Sequence, residues 1–102
     1  VGSISDNQMG GWYSYRSSKA ALSMLIKNTA IEMGRKRGES IIVGLHPGAV
    51  VTELSRPFQN NIAPENLLSP QQAALNLISI IDSLRPQDSG KFFDFDGKEV
   101  AP

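Results

Sequence analysis

Apolar positions along this chain recur in two rhythms, and the changes between them mark its elements. From about Tyr13 to Arg37 the residues Ala20, Ala21, Leu22, Met24, Leu25, Ile26, Ala30, Ile31 and Met33 return at three- and four-residue spacing, with no proline between them. That spacing predicts a helix. The apolar set is wider than a stripe, which predicts burial on more than one side. Gly34 weakens its last turn, and Gly38 suits a left-handed stop. The rhythm then breaks. Ile41, Ile42, Val43 and Leu45 form a short, nearly continuous run ended by Pro47-Gly48, the pattern of a strand buried on both faces of a parallel sheet. "AVVTELSRPFQNNIAPENLL" is irregular, with a short helix expected after Thr52. It is longer than a connection needs, which points to a binding or lid role. In "SPQQAALNLISIIDSL" helical spacing returns. Ser69 is placed as N-cap, Pro70 suits the first helical position, and Gln72 would complete a capping box. Ala74, Leu77, Ile78, Ile81 and Leu84 would line the packed face, and Pro86 stops the helix. A last strand is expected over Lys91 to Phe95, with a turn at Asp96-Gly97.

The opening "VGSISDNQMGG" reads as a strand tail running into a loop, because Asn, Asp and paired Gly break regular structure. The order is then strand, helix, strand, helix, strand. Helices between strands imply crossovers and a parallel sheet, an α/β fold. A chain that enters in mid-strand is expected to be one partial domain over residues 1–102, the C-terminal part of a doubly wound sheet.

Composition narrows the function classes. Ten basic residues balance ten acidic ones among 102 residues, 40% of which are hydrophobic. Neither nucleic acid nor an anionic membrane is called for. The basic cluster Arg35-Lys36-Arg37 falls where the first helix ends, and cations there meet the negative end of the helix dipole. With no cysteine and one histidine, thiolate chemistry, disulfides and a Cys-rich metal centre are excluded. No apolar run approaches the ~20 residues of a membrane span, so the expected location is cytoplasmic.

The candidate chemistry is Tyr15 and Lys19. Four residues apart on a helix, they share a face one turn apart. An ammonium beside a phenol favours the phenolate, so such a pair can protonate a carbonyl oxygen or deprotonate an alcohol. Taken alone the pair is weak, since both residue types are common. The next strand adds to it by ending in Pro47-Gly48, with Val50 and Thr52 beyond. Ligands in open parallel sheets bind at the carboxyl ends of strands. There Gly48 admits a ligand close to the backbone, and Thr52 supplies a hydroxyl.

Together these residues carry a resemblance. "YSYRSSKAAL" resembles the Y-x-x-x-K helix of the short-chain dehydrogenase/reductase family, and "LHPGAVVTEL" its P-G-x-V-x-T segment, at the expected distance. "GSISDNQMGGWYSYRSSKAAL" with "FFDFDG" is similar to the C-factor-like and sniffer-like carbonyl reductases within it. The resemblance implies an NAD(P)-dependent oxidoreductase acting on a small carbonyl or alcohol substrate. Tyr15 would be the general acid/base. Lys19 would meet the nicotinamide ribose and favour the Tyr15 phenolate. Pro47, Gly48 and Val50 would lie along the nicotinamide, and Thr52 would contact its carboxamide or the pyrophosphate. Tyr13 has no lysine four residues later and is set aside. Relatives pair subunits through the Tyr15 helix, so a homo-oligomer through about Tyr13 to Arg37 is implied.

The match has two gaps. The family's glycine-rich G-x-x-x-G-x-G turn is not in these residues, so the chain by itself is expected to be inactive. The residue choosing NAD or NADP would follow a strand in that same half. The family's serine would fall at Gly2, with Ser3 and Ser5 as near misses, and is expected before Val1. His46, before a proline at a strand end, reads as a packed or hydrogen-bonded residue. Asp94 and Asp96 read as solvated or turn-capping. Trp12, Phe58 and Phe95 could line a substrate pocket or simply pack. The alternative to an enzyme is a truncated relative that acts in association or signalling.

Overall fold

The computed structural model describes residues 2–36 and 39–102. The expectations for Val1, Arg37 and Gly38 lie outside them. The elements are helix α1 (Tyr13–Lys36), strands β1 (Gly44–Leu45) and β2 (Ala49–Val50), a 3-10 helix at Arg56–Asn61, β3 (Leu67–Leu68), helix α2 (Pro70–Ser83), β4 (Phe92–Phe93) and β5 (Glu99–Val100). The fold is α/β. Its sheet is small and mixed: β1 pairs parallel with β4, and β5 joins β4 antiparallel. A separate parallel pair joins β2 to β3.

The sequence order therefore needs correcting. The expected opening strand is not formed among the described residues. Instead the Ser5 backbone N–H and the Ser3 and Ser5 hydroxyls donate to the carbonyls of Ala101 and Pro102. The segment leans on the C-terminal tail without a strand ladder. The antiparallel β5 was not anticipated. It follows from the turn at Asp96-Gly97, where Gly97 has φ 85° and its N–H donates to Asp94.

The strand expected over 41–45 is paired mainly at its end. Gly44 and His46 donate to Lys91 and Phe93, while Ile42 receives Gly90 and donates to the Ser89 hydroxyl. Gly44 is required there. A Cβ would collide with the Phe92 ring and come within 3.4 Å of Ile26 Cδ1. The bare backbone lets Phe92 lie against β1 beneath α1.

Helix α1 packs by one stripe only. Ala30 is buried, and Arg16, Ala20, Ser23, Ile26 and Met33 are half-buried. Leu22, Met24, Leu25 and Ile31 are exposed, Met24 at 62%. Burial on more than one side is thus not realised in this chain.

Helix α2 starts as expected. The Ser69 hydroxyl accepts from the Gln72 N–H at 3.1 Å, and Pro70 stands in the first turn. The Gln72 side chain does not complete a capping box; it donates forward to Asn76 at 2.9 Å. The packed face is Ala73, Leu77, Ile80 and Leu84, while Ala74, Ile78 and Ile81 point outward. The true face keeps Leu77 and Leu84 and is turned by less than one residue's step of about 100°. Apolar residues surround much of this helix, so spacing alone allowed either face.

Candidate functional site

Tyr15 and Lys19 lie one turn apart on α1, as their spacing requires. The Lys19 Nζ stands 5.6 Å from the Tyr15 ring centroid. The stem of Lys19 is held from the other side by the opening segment, since a Cβ on Gly2 would meet Lys19 Cβ at 2.6 Å. Among the described residues, neither the Tyr15 hydroxyl nor the Lys19 ammonium has a hydrogen-bond or ion-pair partner. Both are available to a ligand.

Trp12 precedes the helix and meets Tyr15 edge-on at 6.2 Å. It also meets Phe58 at 5.4 Å. Phe58 belongs to the 3-10 helix of the long irregular segment, so that segment reaches the tryptophan beside the candidate acid/base. Phe95 does not join this cluster. It lines a separate cleft of about 410 Å³ with Gly48, Leu68, His46 and Glu65. Tyr13 is 84% exposed and opens onto yet another depression, beside Arg16 and Ser17. Its phenol thus faces away from the Tyr15 neighbourhood.

The second sequence motif has its own geometry. Gly48 is left-handed, with φ 84°. A Cβ there would come to 3.1 Å from both Leu68 Cδ1 and Phe95 Cδ1. The glycine is needed by the protein's own side chains, a reason the ligand-approach argument did not include. Val50 lies in β2 opposite Leu68. The Thr52 hydroxyl accepts from the Ser55 N–H at 3.2 Å, and the Ser55 hydroxyl accepts from the Thr52 N–H at 3.0 Å. Ser55 Oγ also donates to the Val50 carbonyl at 2.6 Å and accepts from the Gln59 side chain at 3.1 Å. Ser55 and Gln59 are thus the scaffold that ties Val50 and Thr52 to the helix bearing Phe58. Sequence reasoning passed over them. The signal was present in Thr52-Glu53-Leu54-Ser55, a hydroxyl pair at the spacing of a local side-chain turn.

The remaining candidates are structural. His46 Nδ1 accepts from the Gly48 N–H at 3.3 Å across the Pro47 turn. Asp94 and Asp96 accept from the backbone N–H of Phe95 and Lys98, capping the last turn. The Ser3 and Ser5 hydroxyls are engaged with the C-terminal tail. Asp88 was unforeseen. It is 8% exposed, accepts from the Arg85 N–H at 2.9 Å, and pairs with Lys91 at 3.6 Å.

Known proteins share this sequence along nearly its whole length. The chain is 44% identical over 97 residues to a 1-hydroxy-2-glutathionyl-2-methyl-3-butene dehydrogenase of Rhodococcus sp. (strain AD45), covering 95% of this chain and 41% of that protein. It is 38% identical over 100 residues to C-signal of Myxococcus xanthus, covering 98% of this chain and 55% of that protein. The relatives it matches are short-chain dehydrogenase/reductase-type oxidoreductases. Solved structures agree. Carbonyl reductase Sniffer of D. melanogaster matches with TM-score 0.82 at 30% identity, over 99% of this chain and 37% of that one. An NADPH-bound carbonyl reductase from chicken fatty liver matches with TM-score 0.80 at 31% identity, over 99% of this chain and 39% of that one. No protein-family model matches the chain. It spans about half the length, or less, of the curated relatives it matches.

Proposed function

We propose that this chain carries the proton-transfer and nicotinamide-facing part of an NAD(P)-dependent carbonyl reductase or alcohol dehydrogenase. The observation that carries the reading is the Tyr15–Lys19 pair: one helical turn, an ammonium 5.6 Å from the ring, and two polar groups left free among the described residues. The fit to a nicotinamide cofactor rests on that donor set. Lys19 would hold the ribose, and Pro47, Gly48, Val50 and Thr52 would flank the nicotinamide end, with Ser55 fixing the last two. The cofactor, when bound, supplies or accepts the hydride.

The protein's part is positioning and the proton. A carbonyl oxygen placed against the Tyr15 hydroxyl receives its proton as negative charge develops there, and the Lys19 ammonium stabilises the phenolate left behind. In the oxidising direction the phenolate takes the alcohol proton. Trp12 covers part of the Tyr15 ring by its edge-on contact.

The test is Tyr15→Phe in the complete protein. The ring can keep its edge contact with Trp12, so the circular dichroism spectrum should not change. Carbonyl reduction should fall to below about one hundredth. Retention of more than a few per cent would remove Tyr15 from the role.

The apolar residues that α1 leaves uncovered favour one addition. Leu22, Met24 and Leu25 are exposed on the helix that bears the pair. We read this surface as the contact between copies in a homo-oligomer, a location in which an isologous pairing buries it twice. The non-enzymatic reading, association alone, would need the same surface but no free phenol.

A further inference from the structure

The backbone before α1 is strained at one residue that the proton-transfer chemistry does not use. Gly10 and Gly11 both have φ 70°, and Trp12 follows with φ 53°. For the glycines this costs little. For a tryptophan, whose Cβ crowds the following carbonyl there, the left-handed region is unfavourable, and it persists only where the surroundings impose it. Here they do. The Arg16 side chain donates through Nε to the Gly11 carbonyl at 2.9 Å and through a terminal nitrogen to the Gly10 carbonyl at 3.3 Å. The Asn7 side chain accepts from the Gly10 N–H at 2.9 Å, and the Trp12 carbonyl receives the Arg16 N–H at 2.8 Å. Polar groups on both sides therefore clamp the turn that aims the indole.

The indole is not aimed into the core. It is 53% exposed, although a large aromatic is ordinarily mostly covered. Its contacts are Tyr15 at 6.2 Å and Phe58 at 5.4 Å, so it bridges α1 to the long segment after β2. The indole is thus held in a strained conformation, half exposed, beside the Tyr15 ring.

We propose that Trp12 is the specificity-determining residue of the site, and that with Phe58 it selects carbonyl substrates bearing a flat, unsaturated or aromatic group next to the reacting carbon. This rests on the reading of Tyr15 as proton donor. A planar substituent stacks on the open indole face or meets its edge. Such pairs exceed simple area burial and set the carbonyl oxygen near the Tyr15 hydroxyl. A small aliphatic carbonyl compound gains neither contact. The indole wall binds substrate in the ground state as well as in the transition state, so its loss should appear chiefly in KM.

The experiment uses the complete protein and compares benzaldehyde with butanal. Trp12→Ala should lower kcat/KM for benzaldehyde by about tenfold or more, mainly through KM, and change that for butanal by less than about threefold. Trp12→Phe should restore most of the loss, because a ring returns to the wall. Equal losses on the two aldehydes, or no loss on either, would overturn the proposal. Tyr15→Phe separates this from the reading beneath it, since it should stop both reactions while leaving benzaldehyde binding intact. Binding is followed by the tryptophan emission that disappears in Trp12→Phe. Saturable quenching of that emission by benzaldehyde, but not by butanal, supports the wall even if the protein reduces neither compound. Turnover without such quenching would refute the wall and leave the proton-transfer reading standing.

Discussion

The Lys19 ammonium approaches the Tyr15 ring, with Nζ 5.6 Å from its centroid, and makes no hydrogen bond to the phenol oxygen. A cation at this distance is attracted by the ring quadrupole. The contact leaves the Tyr15 hydroxyl open to a substrate and the ammonium open to a cofactor hydroxyl. Lys19→Met keeps the stem that packs on Gly2 and removes only the charge. In the complete protein, carbonyl reduction should fall by about a hundredfold, with thermal stability changed little. Steady-state kinetics with parallel melting curves checks both. Activity within threefold of the parent would mean that the charge has no part in the reaction.

Gly48→Ala should destabilise the protein whether or not a cofactor is present. The left-handed conformation disfavours a Cβ by about 1–2 kcal/mol, and Leu68 and Phe95 stand 3.1 Å from where it would go. Denaturant unfolding without nucleotide measures the loss. An unchanged midpoint would show that Leu68 and Phe95 yield freely, and that glycine serves only ligand approach.

Asp88 joins the end of α2 to β4. Its carboxylate caps the Arg85 N–H and stands 3.6 Å from the Lys91 ammonium, with little exposure. Asp88→Ala leaves the Arg85 N–H without its acceptor and should cost about 1–3 kcal/mol. Lys91→Ala should cost less than about 1 kcal/mol, because that side chain is still 39% exposed and partly solvated pairs contribute little. Equal losses in the two variants would contradict this ranking.

Met24→Glu with Leu25→Glu tests α1 as the contact between copies. Both side chains are at least 60% exposed in the single chain, so two carboxylates there should not disturb its packing. Light scattering on the complete protein should show a smaller species than the parent. An unaltered assembly would locate the contact elsewhere or show that there is none.

Helix α1 and its Tyr15–Lys19 face were legible from residue spacing, as were the Ser69 cap, the stop near Pro86 and parallel strand pairing as such, though not which strands pair. These depend on interactions a few residues long, or on an apolar run that admits one environment. The 3.6-residue period alone places Lys19 one turn above Tyr15. Other features depended on partners distant in the chain. Ala73 rather than Ala74 turns inward on α2 because the apolar arc of the helix is wide, so only contact with the rest of the chain chooses a side. Phe58 reaches Trp12, and Phe95 goes instead to Gly48, although both are aromatic residues in irregular segments. The opening serines bond to Ala101 and Pro102, at the far end of the chain. Local spacing carries a direction around one helix or strand. Which of those directions becomes a wall, a cap or a core is decided when distant segments close on one another, because burial and hydrogen bonding reward the pair and not the residue.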